Sequence, residues 1–227
     1  MITALDHLVL RASFIDGAIG AYETLLGRRA QDGRFRLGNA GLTIEDEAAQ
    51  RLERRGVPGT REDDRLVLAR AATHQVPIAL IQRNDSLTPS PLVGTDEAAS
   101  ITALDHVVIR TPNPERAVAF YGGRLGLDLR LDRSNPQWNA RLLFFRCGDL
   151  VVEIAHDLSK GVSDKPDELW GLSWRTPDIA RCHARLNKAG VELSAPRDDR
   201  RPGTQVFTVH SHTANVPTIV IGGLGRW

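Results

Sequence analysis

The chain has 227 residues, enough for one large domain or two small ones, and either could bury a core without disulfide or metal staples. Charged residues make up 25% and nearly cancel to a formal +1, so no field of one sign favours nucleic acid or an anionic membrane. Two cysteines, Cys147 and Cys182, are too few for a disulfide scaffold. No charged leader opens the chain and no run is long enough to cross a bilayer, so a soluble protein of the reducing cytoplasm is expected.

In chain order, the first predicted strand is Ile2-Thr-Ala-Leu-Asp-His-Leu-Val-Leu-Arg11. It returns as Ile101-Thr-Ala-Leu-Asp-His-Val-Val-Ile-Arg110 with eight of ten positions identical. The same offset of 99 carries Tyr22 onto Tyr121, Leu26 onto Leu125 and Gly27 onto Gly126, so a strand, a helix and its terminating glycine recur in register. The offset then grows to 108, pairing Leu42-Thr-Ile-Glu45 with Leu150-Val-Val-Glu153, and to 140, pairing Val76-Pro77 with Val216-Pro217. Two fused copies are expected: residues 1–83, a turn-rich linker over 84–101, and residues 102–227.

Within the second copy the apolar period changes repeatedly. Leu104, His106, Val108 and Arg110 share one face of an alternating strand, with Val107 and Ile109 on the other. A helix follows, with Pro114 near its first turn, Ala117, Phe120 and Tyr121 on its apolar stripe, and Gly122-Gly123 and Gly126 breaking it. Residues 141–154 predict a hairpin turning at Gly148-Asp149. A second unit starts with a strand from Leu169, continues in a helix from Ile179 to Gly190, and ends in strands Gln205–Val209 and Thr218–Ile221. The first copy has a shorter version that ends in Ile78-Ala-Leu-Ile81. The expected fold class is α+β, built from paired βαβββ modules.

A strand carrying Leu-Asp-His106, a helix ending Phe-Tyr-Gly-Gly-Arg-Leu-Gly-Leu127 and a strand ending Leu-Val-Val-Glu153 together resemble the vicinal-oxygen-chelate superfamily of glyoxalases, bleomycin-resistance proteins and extradiol dioxygenases. The resemblance covers residues 102–224 well and 2–83 less well. It implies a cupped mixed sheet whose concave face holds a divalent ion on His, Gln or Glu side chains from the first and last strands of each module. His106 and Glu153 match two such ligand positions, and His7 and Glu45 match them in the first copy. Both residue types suit zinc, nickel, manganese or iron. In the second module of the second copy the matching positions are expected to be Gly171 and Val220, neither of which can ligate. Pooling of His7, Glu45, His106 and Glu153 into one site is one arrangement; independent, incomplete cups are the preferred one.

Around that centre, Trp138 on a loop is a candidate for substrate contact, while Trp174 shares its face with Leu172 and is expected in the core. Arg141, Arg146 and Arg175, with His210, are candidates for holding the carboxylate or phosphate of an oxygen-rich metabolite. Neither cysteine has a nucleophile-base pattern around it. Two functions follow from the resemblance. One is a metal-dependent lyase, isomerase or dioxygenase with Glu153 exchanging protons, the extradiol dioxygenase version being the least supported because only His106 of its ligand set is filled. The alternative is a metal-free cup that sequesters a small molecule. The expected partner is a small molecule, with no nucleic acid and no membrane; a homodimer is left open.

Overall fold

The structure is a computed structural model, and it describes residues 15–30, 35, 52, 54–62, 65–81, 91–94 and 96–223. His7 and Glu45, and with them the first predicted strand, lie outside the described residues. No helix among the described residues is long and apolar enough to cross a membrane.

The chain forms two compact units that interleave in sequence. Among the described residues one unit comprises 52, 54–62, 65–81 and 106–170, the other 15–30, 35, 91–94, 96–105 and 171–223. The boundaries expected from the repeat, at 84 and 101, therefore do not coincide with those of the units. Nor is the whole of 84–101 a free linker. Residues Glu97–Ala99 form a 3-10 turn capped by Asp96, and Ala99, Ser100 and Ile101 are buried.

The first unit contains two sheets. Strands β1 (Gly59–Glu62), β2 (Arg65–Leu68) and β3 (Ala79–Ile81) form an antiparallel sheet that buries Leu68 and Leu80. The second is a ladder in the order β5-β6-β7-β4, where β4 is Ala103–Arg110, β5 Asp128–Asn135, β6 Ala140–Cys147 and β7 Leu150–Asp157. β4 enters this unit at His106 and runs parallel to β7, as a crossover connection requires. The crossover is the predicted helix. Asn113 caps α2 (Pro114–Ala117), with Pro114 in the first turn where its missing N–H costs nothing. The coil then widens into π-helix over Val118–Arg124. Gly122-Gly123 thus lie inside the helical turn and do not break it. A side chain at Gly122 would press on Phe145, 3.3 Å from a built Cβ, so the glycine lets the helix settle on the sheet. Termination belongs to Gly126, whose φ of +77° is left-handed, and Gly27 ends α1 (Ile15–Leu26) the same way at +68°.

The core of this unit lies on the helix side of the ladder. Leu143, Phe145 and Ile154 are fully buried there, and the Tyr121 ring lies 5.8 Å from Phe145. On that side the fully buried Asp167 accepts through Oδ1 from Thr111 Oγ1 and from Arg116, each at 2.7 Å, while its Oδ2, Arg116 Nε and the Tyr121 hydroxyl are buried without a partner.

In the second unit the ladder runs β8-β11-β10-β9, with β8 at Glu168–Arg175, β9 at Arg197–Asp198, β10 at Gln205–Val209 and β11 at Thr218–Gly222. β8 enters the unit at Gly171, and α3 (Ile179–Lys188), capped by Asp178, supplies its crossover. Cys182 and Leu186 on α3, with Phe207 and Val220 below, are fully buried. Arg185 ties the pieces together. Its guanidinium donates to the carbonyls of Thr24, Leu25 and Ala99, which satisfies two acceptors at the end of α1 and one in the 3-10 turn. Residues 103–222 thus hold the two predicted βαβββ modules, in an α+β fold of the glyoxalase-like kind.

Candidate functional site

Strand pairing decides which side chains share the face away from the helix in the first module. Across β6, β7 and β4, Arg146, Val151 and His106 stand in one row, Phe144, Glu153 and Val108 in the next, and Leu142, Ala155 and Arg110 in the third. Partners in register point the same way, and rows two residues apart on one face are separated by about 7 Å along the strands. Glu153 is therefore central. His106 and Arg146 flank it one row back, Arg110 and Leu142 one row on, with Phe144 and Val108 beside it.

His106 and Glu153 meet: Nε2 stands 3.5 Å from Oε2, and the two side chains are 15% and 16% exposed. This is the arrangement expected from the alternation of β4 and the last strand of the hairpin. Two ligands on a tetrahedral zinc, each about 2.1 Å from the ion, stand about 3.4 Å apart, so a separation of 3.5 Å would let both side chains reach one ion. Among the described residues no group of three or more His, Cys, Asp and Glu is arranged to hold a metal.

The arginines separate by face. Arg146 shares the face of Glu153, is exposed, and donates Nε to the Gly148 carbonyl. Arg141 is paired in register with His156, on the helix side. Its fork donates to both oxygens of Asp132 at 2.9 and 2.7 Å and to Glu115 at 2.6 Å. These bonds raise the guanidinium pKa further and hold the Asp132 carboxyl below the usual range. Arg141 is thus already committed to carboxylates, away from the expected site. Trp138 sits on the 3-10 turn Pro136–Trp138, 39% exposed, with the Arg133 guanidinium 5.5 Å from its ring.

Arg175 and His210 belong to the second unit. Arg175 donates Nε to the buried Asp105 at 2.8 Å, and His210 is an exposed residue just after β10. Trp174 is buried as expected.

The second module corrects one assignment. In β8 and β11, Ser173 pairs with Ile219 and Trp174 with Val220. Aligning Arg110-Thr-Pro with Arg175-Thr-Pro makes Ser173 the counterpart of Val108, the residue that pairs with Glu153. The counterpart of Glu153 is therefore Ile219. Val220 lies on the helix side, in register with Phe207, whose ring packs 5.1 Å from His183 of α3. Gly171 remains the counterpart of His106, and a Cβ there would lie 3.1 Å from the Pro217 carbonyl oxygen.

The thiols are set apart from this chemistry. Both are free and buried, and burial pushes Cys147 up to about 11 and raises Cys182 as well, so both remain protonated at neutral pH. Sequence reasoning named Arg110 only as a strand residue. Its place on the His106 face was the available signal, and the structure adds its guanidinium carbon 3.9 Å from the centroid of the Trp170 ring.

Residues 105–208 match the family model described as Glyoxalase/Bleomycin resistance protein/Dioxygenase superfamily. A curated relative, the mitochondrial methylmalonyl-CoA epimerase of Bos taurus, is 27% identical over 92 residues, which are 40% of this chain and 50% of that protein. The chain therefore spans about half the length of the curated relative it matches. Among solved structures, methylmalonyl-CoA epimerase from Mycobacterium tuberculosis aligns with a TM-score of 0.48 and 18% identity, covering 59% of this chain and 94% of that one. A variant of the Streptomyces coelicolor epimerase in complex with 2-nitronate-propionyl-CoA aligns at 0.46 and 16%, covering 56% and 100%. Residues 105–208 are thus the part of the chain that resembles the glyoxalase, bleomycin-resistance and dioxygenase superfamily.

Proposed function

We propose that the first module is an isomerase- or lyase-type site that moves a proton next to a carbonyl of a small, oxygen-rich metabolite. The observation that carries this reading is the 3.5 Å approach of His106 Nε2 to Glu153 Oε2 on the face away from the helix. The likeness to an epimerase supports it. Inverting a stereocentre beside a carbonyl requires removal of the α-proton and its return to the other side. Glu153 accepts that proton: the C–H bond breaks, an O–H bond forms on the carboxyl, and the electron pair moves onto the carbonyl oxygen as an enolate. Phe144, Leu142 and Val108 around it provide apolar surface that keeps water from competing. His106 and Glu153 are the residues that would hold zinc, nickel, manganese or iron, and such an ion, when bound, supplies Lewis-acid stabilisation of the enolate oxygen.

The test has two readouts. Protein purified without chelator is analysed for divalent metal beside His106→Ala and Glu153→Ala, and each substitution is expected to weaken uptake. Metal-loaded protein is then incubated in D2O with a panel of 2-substituted acyl thioesters and 2-oxo acids. Deuterium is expected at the carbon beside the enolising carbonyl, C2 of the thioesters and C3 of the 2-oxo acids, with the parent protein and far more slowly with Glu153→Gln. Absence of exchange across the panel overturns the reading.

A second reading is a metal-free binding cup, favoured by Gly171 and Ile219 at the matched positions of the second module, where no ligand can form. It predicts saturable binding without exchange, unchanged by His106→Ala. The free, buried thiols Cys147 and Cys182 suit a reducing compartment such as the cytoplasm under either reading.

A further inference from the structure

Arginines on the two faces of the first module are treated differently. On the helix side Arg116 pairs with Asp167 and Arg141 with Asp132 and Glu115. On the Glu153 side Arg110, Arg133 and Arg146 are all exposed, and among the described residues none of the three makes an ion pair. What holds two of them is not a carboxylate. Arg110 lies over the Trp170 ring, and Arg146 is anchored through Nε to the Gly148 carbonyl. Both contacts restrain a guanidinium without neutralising it, so N–H donors stay available for an incoming anion.

Their positions matter as much as their charge. Arg146 is on β6 one row before Glu153, and Arg110 is on β4 one row after it. The two cations therefore sit on opposite sides of the carboxylate, diagonally across β7. With strands about 4.8 Å apart and rows about 7 Å apart, their Cα atoms are about 17 Å from one another, with Glu153 midway between them. A ligand lying across Glu153 would meet a guanidinium at each end.

We propose that this face recognises an organic dianion, with Arg110, carried on Trp170, and Arg146 as its two anion-binding residues. The proposal rests on the reading of the same face as the substrate site and names the class of substrate. Acidic groups at both ends would fix the carbon between them above Glu153, the geometry that proton removal needs. The shared chemistry is a pair of acidic groups, carboxylate or phosphate.

The test is calorimetric titration of the full chain with malonate, with pyrophosphate, and with uncharged malonamide. Malonate or pyrophosphate is expected to bind saturably and malonamide not; which dianion binds tells carboxylate from phosphate. Arg110→Gln and Arg146→Gln should each weaken dianion binding roughly tenfold, the scale of one charge-assisted hydrogen-bonded contact. Arg130→Gln is the control, because it removes the same charge from β5 where Arg130 already pairs with Asp128 at 2.9 Å. It should leave binding unchanged, and thermal melting should show all three variants folded. Failure of both dianions to bind, or an equal loss with Arg130→Gln, overturns the proposal. Glu153→Gln separates this from the chemistry: it should keep dianion binding while lowering α-proton exchange about 100-fold, so loss of exchange alone in the parent protein would strike the reaction and leave the recognition standing.

Discussion

His106 and Glu153 on the first module correspond, by strand pairing, to Gly171 and Ile219 on the second. The modules share an element order, a parallel pairing of first and last strands, and a buried helix face. They differ on the other face. The first places an imidazole and a carboxylate within 3.5 Å, whereas the second has no side chain at one position and an aliphatic one at the other. Gly171 is also hard to refill, since a Cβ there would come 3.1 Å from the Pro217 carbonyl oxygen. The helix-side packing is common to the two modules, because that packing makes the fold. The open face is free to diverge.

The largest expected effect tests the helix side. Arg116→Gln leaves the fully buried Asp167 carboxylate without its cation and should destabilise by about 3–5 kcal/mol in urea unfolding. A loss under 1 kcal/mol would mean that water takes the place of Arg116. Next comes the contrast between the modules themselves. Glu153→Gln should lower α-proton exchange about 100-fold, about 2.7 kcal/mol of barrier, while Ile219→Ala changes it less than twofold. Equal losses would erase the distinction between the two faces.

A smaller effect concerns the thiols. Cys147 has a folded-state pKa of about 11 against an ordinary 9.0, raised mainly by burial and then by Asp149. A raised pKa favours the protonated form in the folded chain. Its contribution is full below pH 9, and it is lost as pH climbs through 11. Cys147→Ala should therefore flatten the alkaline fall in stability over that window by about 2–3 kcal/mol. An unchanged alkaline limb would show that the thiolate is accommodated. Least affected is the second module's exposed pair between Arg181 and Asp96, where Arg181→Gln should cost less than about 1 kcal/mol in the same unfolding measurement.

Much of this was legible in the sequence, for identifiable reasons. The repeat placed His106 on a strand and Glu153 at the end of a hairpin, and alternation alone put His106 and Arg110 on one face. The turn at Gly148-Asp149, the helix from Ile179 and the strands at 205 and 218 all formed. β5 was missed because Asp-Leu-Arg-Leu-Asp-Arg-Ser-Asn is the outermost strand of its ladder, is exposed along nearly its whole length, and so lacks an apolar face. The exchange of Val220 for Ile219 is a one-residue register error, which turns a side chain to the other face and cannot be seen before the pairing is known. Arg141 and Arg146, five residues apart on one strand, fall on opposite faces by alternation alone, a distinction already present in the sequence. The interleaving of the two units depends on contacts between residues far apart in sequence, which no local pattern reports.

The three-pronged grip of Arg185 has a practical consequence for anyone trimming the chain. A fragment beginning at residue 102 would retain the guanidinium and discard all its acceptors on Thr24, Leu25 and Ala99. An orphaned, half-buried cation beside stripped apolar surface favours aggregation over folding. The smallest useful expression clone must therefore keep α1, even though the family match starts at residue 105.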